Sequence, residues 1–345
     1  MTTLVRFTMP TRRMLRAALL SLVVSAPAWA ADAKPPPPPS IADTAAMNFW
    51  WGDFAALERQ NTLHRQPGSV QPDGGLQIEM FRTGLARVFQ HKVKNVETYL
   101  AEIDALTLEW AQAHPKSALA HILHAEALYH HAWPYRGNGM AKDVTPEGWK
   151  GFEAYLQRAT LYLRTHAEVA LTDSHAHLFL LRMGRAMGWD KKQLFAILQD
   201  GLKRNPDDIS LYFDVVLSLL PKWIGNVKDL DDFIRKATEE TRSRYGMGMY
   251  ARLYSHAAEN QFSHALFEDS LADWDKMKQG YEDMFARYPD SPKRLNRYAY
   301  LACLAKDKPT FLKVYGQIGT NIDLPEWGVN PERSLEACRR WGTGV

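Results

Sequence analysis

The stretch "VETYLAEIDALTLEWAQAHPKSALAHILHAEALYHH", Val96–His131, decides the fold class. Tyr99, Ile103, Leu106 and Trp110 recur at i, i+4, i+7 and i+11, which lays one apolar stripe along a helix. His114-Pro115 ends that helix, because proline biases the residue before it away from helical angles. Ser117 then offers a side-chain cap for a second helix. So short a connection turns the second helix antiparallel to the first.

The same punctuation returns along the chain. "HPKS" at 114–117 is followed by "NPDD" at 205–208 and "YPDS" at 288–291, each between two amphipathic stretches. Phe152, Tyr155, Leu156, Ala159 and Leu163 form one further stripe, and Trp274, Met277, Tyr281, Met284 and Tyr288 another. Thr145-Pro146 and Asn330-Pro331 place a capping residue before a proline at the first helical position. Asp190 and Gln193 have the spacing of a capping box. Strand signals are almost absent. Helix pairs stacked in this way bury a continuous core that no single pair buries alone.

"HPKSALAHILHAEALYHHAW" (114–133) looks like a tetratricopeptide helix junction. "AWPYRGNGMAKDVTPEGW" (132–149), "LLPKWIGN" (219–226) and "MYARLYSHA" (249–257) together resemble the bacterial domain-of-unknown-function 4034 family. The resemblance covers most of the chain beyond the leader and implies a tetratricopeptide-like helical array. It brings no activity, substrate or catalytic residue. The regular pattern is missing between Thr145 and Asn226, and the three proline turns lie 91 and 83 residues apart, so any repeat is degenerate. The expected fold is an all-α, degenerate tetratricopeptide-like stack of antiparallel helix pairs, an α-solenoid. The alternative is an irregular all-α domain.

Residues 1–30 read as a secretory signal peptide. Arg6, Arg12, Arg13 and Arg16 precede the apolar run "AALLSLVVSA", and Ala28-Trp29-Ala30 fits a cleavage site. The run is short of the ~20 residues a membrane span needs. "TRRMLR" only loosely resembles a twin-arginine signal. Residues 31–40 form a linker whose "KPPPPPS" favours an extended polyproline spacer, and the helical domain runs over 41–345. The expected location is periplasmic or secreted, as for a Gram-negative export signal, with no stable membrane anchor after cleavage. Losing the four leader arginines takes Lys+Arg from 42 to 38 against 39 Asp+Glu. The mature chain is therefore nearly neutral, which gives no support to nucleic-acid binding. Two cysteines, Cys303 and Cys338, point to a disulfide in an exported protein, the alternative being two buried thiols.

The common catalytic patterns are missing, among them H-E-x-x-H, G-x-S-x-G, the phosphate loop and C-x-x-C. No cofactor is expected. His121 and His124, one turn apart, are weak metal candidates, with His131 two turns beyond His124 and His175 and His177 a poorer pair. The candidate binding surface draws on three segments. The 132–144 turn offers Trp133 and Arg136, the Pro221 turn offers Lys222 and Trp223, and the 246–252 stretch offers Tyr250 and Arg252. Each has a bland reading: Arg136 capping a helix end, Trp133 filling a gap, Trp223 folded back as a lid, Arg252 meeting an acidic core partner. If the segments converge, the expected function is a scaffold for an unknown protein or peptide. The alternative is an enzyme or small-ligand pocket formed by 132–144, 221–226 and 246–252, with His131 set beside Glu147 or Asp143.

Overall fold

A computed structural model describes residues 38–344. The leader and most of the proline-rich linker lie outside the described residues. Helices α1 (Ile41–Trp50), α2 (Phe54–His64) and α3 (Gln77–Phe89) form an N-terminal layer. Next come α4 (Val96–Ala113), α5 (Ala118–Arg136), α6 (Pro146–Thr165), the single turn α7 (Ala167–Ala170), α8 (Ser174–Ala186), α9 (Lys191–Arg204) and α10 (Ser210–Leu219). The C-terminal part holds α11 (Val227–Tyr245), α12 (Gly248–Ala257), the short α13 (Leu266–Asp269), α14 (Trp274–Arg287), α15 (Pro292–Leu304), α16 (Lys308–Ile318) and α17 (Pro331–Thr343). Among the described residues there is no strand, only an isolated antiparallel bridge between Val70 and Leu76. The fold is an all-α stack of antiparallel helix pairs. No helix among the described residues is long and apolar enough to cross a membrane.

Three apolar clusters run along the stack. The first joins α1–α5 through Phe49, Leu57, Phe81, Ile103 and Leu119. The second joins α5, α6 and α8 through Ile122, Phe152, Leu156 and Phe179. The third carries on from α8 to α17 through Leu181, Val216, Leu253, Tyr281 and Trp327. Helices α5 and α8 each serve two clusters and are therefore buried on opposite faces. Their alanines let neighbouring backbones approach, which suits a helix covered on both sides. Helices α14 and α15 meet mainly through aromatic rings, with Tyr281 stacked on Tyr298 at 4.5 Å.

The helix ends explain themselves locally. Ser117, Thr145 and Ser291 cap α5, α6 and α15 through their hydroxyls. Asp190 and Gln193 form the expected capping box. Asn330 makes no side-chain cap bond, although Pro331 does open α17. The turn expected at 132–144 is a correction: α5 continues through Pro134 to Arg136, which shortens the connection to residues 137–145. Pro134 forfeits the N–H bond to the His130 carbonyl, but only Tyr135 and Arg136 follow it in the helix, so the interruption is confined to the last turn. Gly137, at φ +65°, then reverses the chain while its N–H bonds the Trp133 carbonyl at 2.8 Å.

The link between α2 and α3 reaches both the start of α8 and the C-terminal helices. Arg65 binds the Thr172 carbonyl at 2.9 Å and Asp173 at 3.1 Å. Gly74 (φ +78°) lies flat on the Tyr288 ring, where a Cβ would fall 2.4 Å from ring carbons. That contact carries the preceding Asp73 to the edge of α14 and α15. At the other end, the Cys303–Cys338 disulfide joins α15 to α17 with Cα atoms 5.7 Å apart.

Candidate functional site

The six sequence candidates separate into distinct places. Trp133 packs edge-on against Phe152 at 5.2 Å and near Tyr129, filling a gap between α5 and α6. Arg136 binds the carbonyls of Gly137 and Gly139 and so closes its own turn. Tyr250 is buried, its ring 4.9 Å from Tyr254 and its hydroxyl accepting from the Asp273 N–H. It faces away from Arg252 because two residues along a helix point about 200° apart. Lys222 donates to the Asn260 carbonyl, and its N–H bonds Gln261. Trp223 stays 41% exposed beside the Arg185 guanidinium. The 221–226 segment therefore reaches the turn that follows α12, while the 132–144 turn is closed on α4 and α6. One of the six, Arg252, lines an open depression.

That depression, of about 240 Å³, lies between α12 and α15 and is edged by Asp73. It shares Arg252 and Met284 with a second hollow of about 450 Å³ lined by Tyr245, Asp283 and Tyr288. The two make a continuous trough. Arg252 donates to the Met284 sulfur at 3.3 Å and lies over the Tyr245 ring at 5.7 Å. Across from it, Arg294 projects from the first turn of α15. Among the described residues neither arginine has an ion pair. Arg252 Nη2, Arg294 Nη1 and His256 Nε2 are buried with no hydrogen-bond partner. Burial, then the nearby Arg294 charge, pulls Arg252 below the usual guanidinium value, and burial also lowers Arg294.

The remaining wall is charged but satisfied. Arg297 bonds Glu326 and Glu259, each at 2.8 Å, and Lys293 approaches Glu326 at 3.5 Å. Just after α12 the chain makes a π-helical turn, Ala258–Phe262, that aims Glu259 into the depression. Such turns often mark functional sites. Burial drives His256, edge-on to Phe213 at 5.2 Å, down to about 4. Partial desolvation pushes the Glu259 carboxyl upward against the pull of Arg297. The sequence reading missed Arg294, Arg297, His256, Glu259 and Asp73. A signal was present: Lys293 and Arg294 sit in the first turn of a helix, where the dipole favours anions.

His121, His124 and His177 each contact a structural partner. His121 contacts the Tyr162 hydroxyl and the Pro115 carbonyl, each at 3.0 Å. His124 contacts Thr107 at 3.2 Å, and His177 contacts Asp200 at 2.9 Å. Among the described residues no three His, Cys, Asp or Glu side chains gather closely enough to hold a metal ion. His131 pairs with Asp104 at 2.7 Å and lies 3.2 Å from Glu97, not beside Glu147 or Asp143. Burial lowers its pKa, but the bond to Asp104 and the charges of Asp104 and Glu97 outweigh that, so the net shift is upward. A raised imidazole stabilises the fold fully below its unfolded value, about 6.5, and loses that stabilisation as pH rises through the folded value. Replacing His131 with Gln is expected to remove a charged hydrogen bond worth about 1.5–3 kcal/mol below that window and to leave a smaller deficit above it. Urea denaturation across the window reads this, and a deficit that does not change with pH refutes the assignment.

Compared with models of known families, with characterised proteins and with solved structures, the chain gives no match.

Proposed function

We propose that the protein is an exported helical-repeat scaffold that holds a segment of a partner protein or peptide in the trough between α12 and α15. The single observation that carries this reading is the pair of unpaired arginines in that trough. Desolvated cations without partners are costly in a finished core, and a bound partner supplies what they lack. Stacked helix pairs commonly present extended recognition surfaces of this kind. Export is part of the proposal and rests on the leader sequence together with the disulfide, which fits an oxidising compartment. The resemblance to the domain-of-unknown-function 4034 family belongs to the same proposal and contributes a helical array without an activity.

A photo-crosslinking residue in place of Lys293, whose side chain is 69% exposed at the trough's rim, is expected to trap discrete adducts in exporting cells. The same residue in place of the exposed Lys142, on the α5–α6 turn, is the control. Identical adducts from both positions, or none from position 293, would refute the scaffold reading.

A second reading is favoured by one observation. Burial in the depression shifts both His256 and Glu259 toward their neutral forms, and perturbed titratable groups gathered in a cleft are candidates for small-molecule sites. In that reading the trough takes a small ligand directly.

A further inference from the structure

We propose that Arg252 and Arg294 form a binding site for a carboxylate, set in the depression between α12 and α15. The proposal rests on the trough being the binding surface and names what the trough recognises.

Charge supplies the first argument. Four cations, Arg252, Lys293, Arg294 and Arg297, and three carboxylates, Asp73, Glu259 and Glu326, line the depression. Glu259 and Glu326 are committed to Arg297 and Lys293. Asp73 faces both free arginines, yet neither forms an ion pair with it, and its Oδ1 accepts from the Gly75 N–H at 2.9 Å. One positive charge is left over, which a single negative charge completes.

Geometry supplies the second. The guanidinium fork matches the two oxygens of a carboxylate, and two buried N–H-bearing nitrogens, Arg252 Nη2 and Arg294 Nη1, have no hydrogen-bond partner. The Ser255 and Tyr281 hydroxyls, paired at 2.8 Å, lie in the same wall as polar neighbours. The third argument concerns α15. Lys293 and Arg294 in its first turn oppose the helix dipole. A bound anion offsets that repulsion, since the N-terminal end of a 13-residue helix attracts negative charge.

Asp73 then acts as a resident competitor, a fixed negative charge at the rim on the loop that Gly74 holds against Tyr288. This gives the test a gain as well as a loss. The full mature chain, with its disulfide intact, is titrated with succinate by calorimetry and by thermal unfolding, against chloride at matched ionic strength. Wild type is expected to show saturable binding and a rise in Tm that chloride does not give. Arg252→Gln and Arg294→Gln are each expected to weaken binding about tenfold or more, the usual scale for losing a charged hydrogen bond. Asp73→Asn, which keeps the Oδ1 bond to Gly75, is expected to tighten it roughly three- to tenfold. A general loss of folding does not produce that gain.

A terminally blocked tripeptide with a central Glu, compared with its Gln counterpart, separates the sources. Tighter binding of the Glu peptide than of succinate assigns the carboxylate to a bound chain, and preference for succinate assigns it to a free small acid. Equal responses of wild type and Arg252→Gln, or no gain in Asp73→Asn, overturn the site. Succinate binding without adducts at position 293 defeats the scaffold reading alone. Adducts at position 293 that persist undiminished in Arg252→Gln, without succinate binding, defeat the carboxylate site alone.

Discussion

Arg82→Ala is expected to lower folding stability by about 3–5 kcal/mol, the cost of removing one partner from a buried ion pair. The Arg82 side chain is 5% exposed and fans out over groups far from it in sequence. It lies 2.8 Å from Glu79, 2.8 Å from Asp208 and 3.6 Å from Asp173, and it donates to Ser174 at 3.0 Å and Ser210 at 3.1 Å. The Asp173 carboxylate also accepts from the His175 N–H in the first turn of α8, and that of Asp208 from the Ser210 N–H that opens α10. One guanidinium from the N-terminal layer thus lies against carboxylates at the start of two helices in the stack. Burial opposes its charge, but the surrounding carboxylates prevail and hold its pKa above the usual value. Asp208 is held low by Arg82 and by the Ser174 and Ser210 hydroxyls, although burial alone would raise it.

Denaturation of Arg82→Ala with urea is expected to show an earlier midpoint. A double-mutant cycle with Arg82→Met and Asp208→Asn tests the mechanism. The arginine substitution is expected to cost clearly less in the Asp208→Asn background, because the buried carboxylate is no longer stranded. Simple additivity sinks the assignment. Acid follows the same linkage. A depressed carboxylate stabilises above its unfolded pKa and loses that contribution as pH falls through the folded value, so the wild type sheds stability on acidification and Arg82→Ala sheds less.

None of this was legible from the chain alone. Periodicity and capping are local, so the helices, the proline turns and the Asp190–Gln193 box were readable from neighbours within a few residues. The expected 132–144 turn begins only at Gly137, because α5 carries Pro134 within its last turn and ends at Arg136. Arg82 gives no local hint, since Asp173 and Asp208 lie roughly a hundred residues away. The site was half legible for the same reason. Arg252 was recognisable as a cation entering a helix after a glycine turn, but Lys222, Trp223, Trp133 and Arg136 could be grouped with it only by assuming that loops converge. The stack instead places Arg252 opposite the first turn of α15. The helix-dipole conflict of Lys293 and Arg294 was the one sequence signal that pointed there.

Reducing the Cys303–Cys338 bond is expected to cost roughly 4 kcal/mol, from the loop entropy of a 35-residue separation. The loss should be concentrated at the C-terminus. Helix α17 is the last element among the described residues, and its anchorage is narrow. Gly342 meets Phe311 so closely that a Cβ would fall 2.1 Å from the ring, and Trp341 packs edge-on to the same ring at 5.7 Å. Beneath it, Trp327 is fully buried and bonds Asn296 at 2.9 Å, which fixes the turn leading into α17 independently of the disulfide. The Cys303→Ser/Cys338→Ser variant should therefore retain the α15–α16 core while α17 opens on its own. Native-state hydrogen exchange is expected to lose protection across Pro331–Thr343 first, with Leu301 and Phe311 protected until global unfolding. Uniform loss of protection along the whole chain would mean that α17 is integral to the core, and that the bond braces the entire stack rather than its last helix.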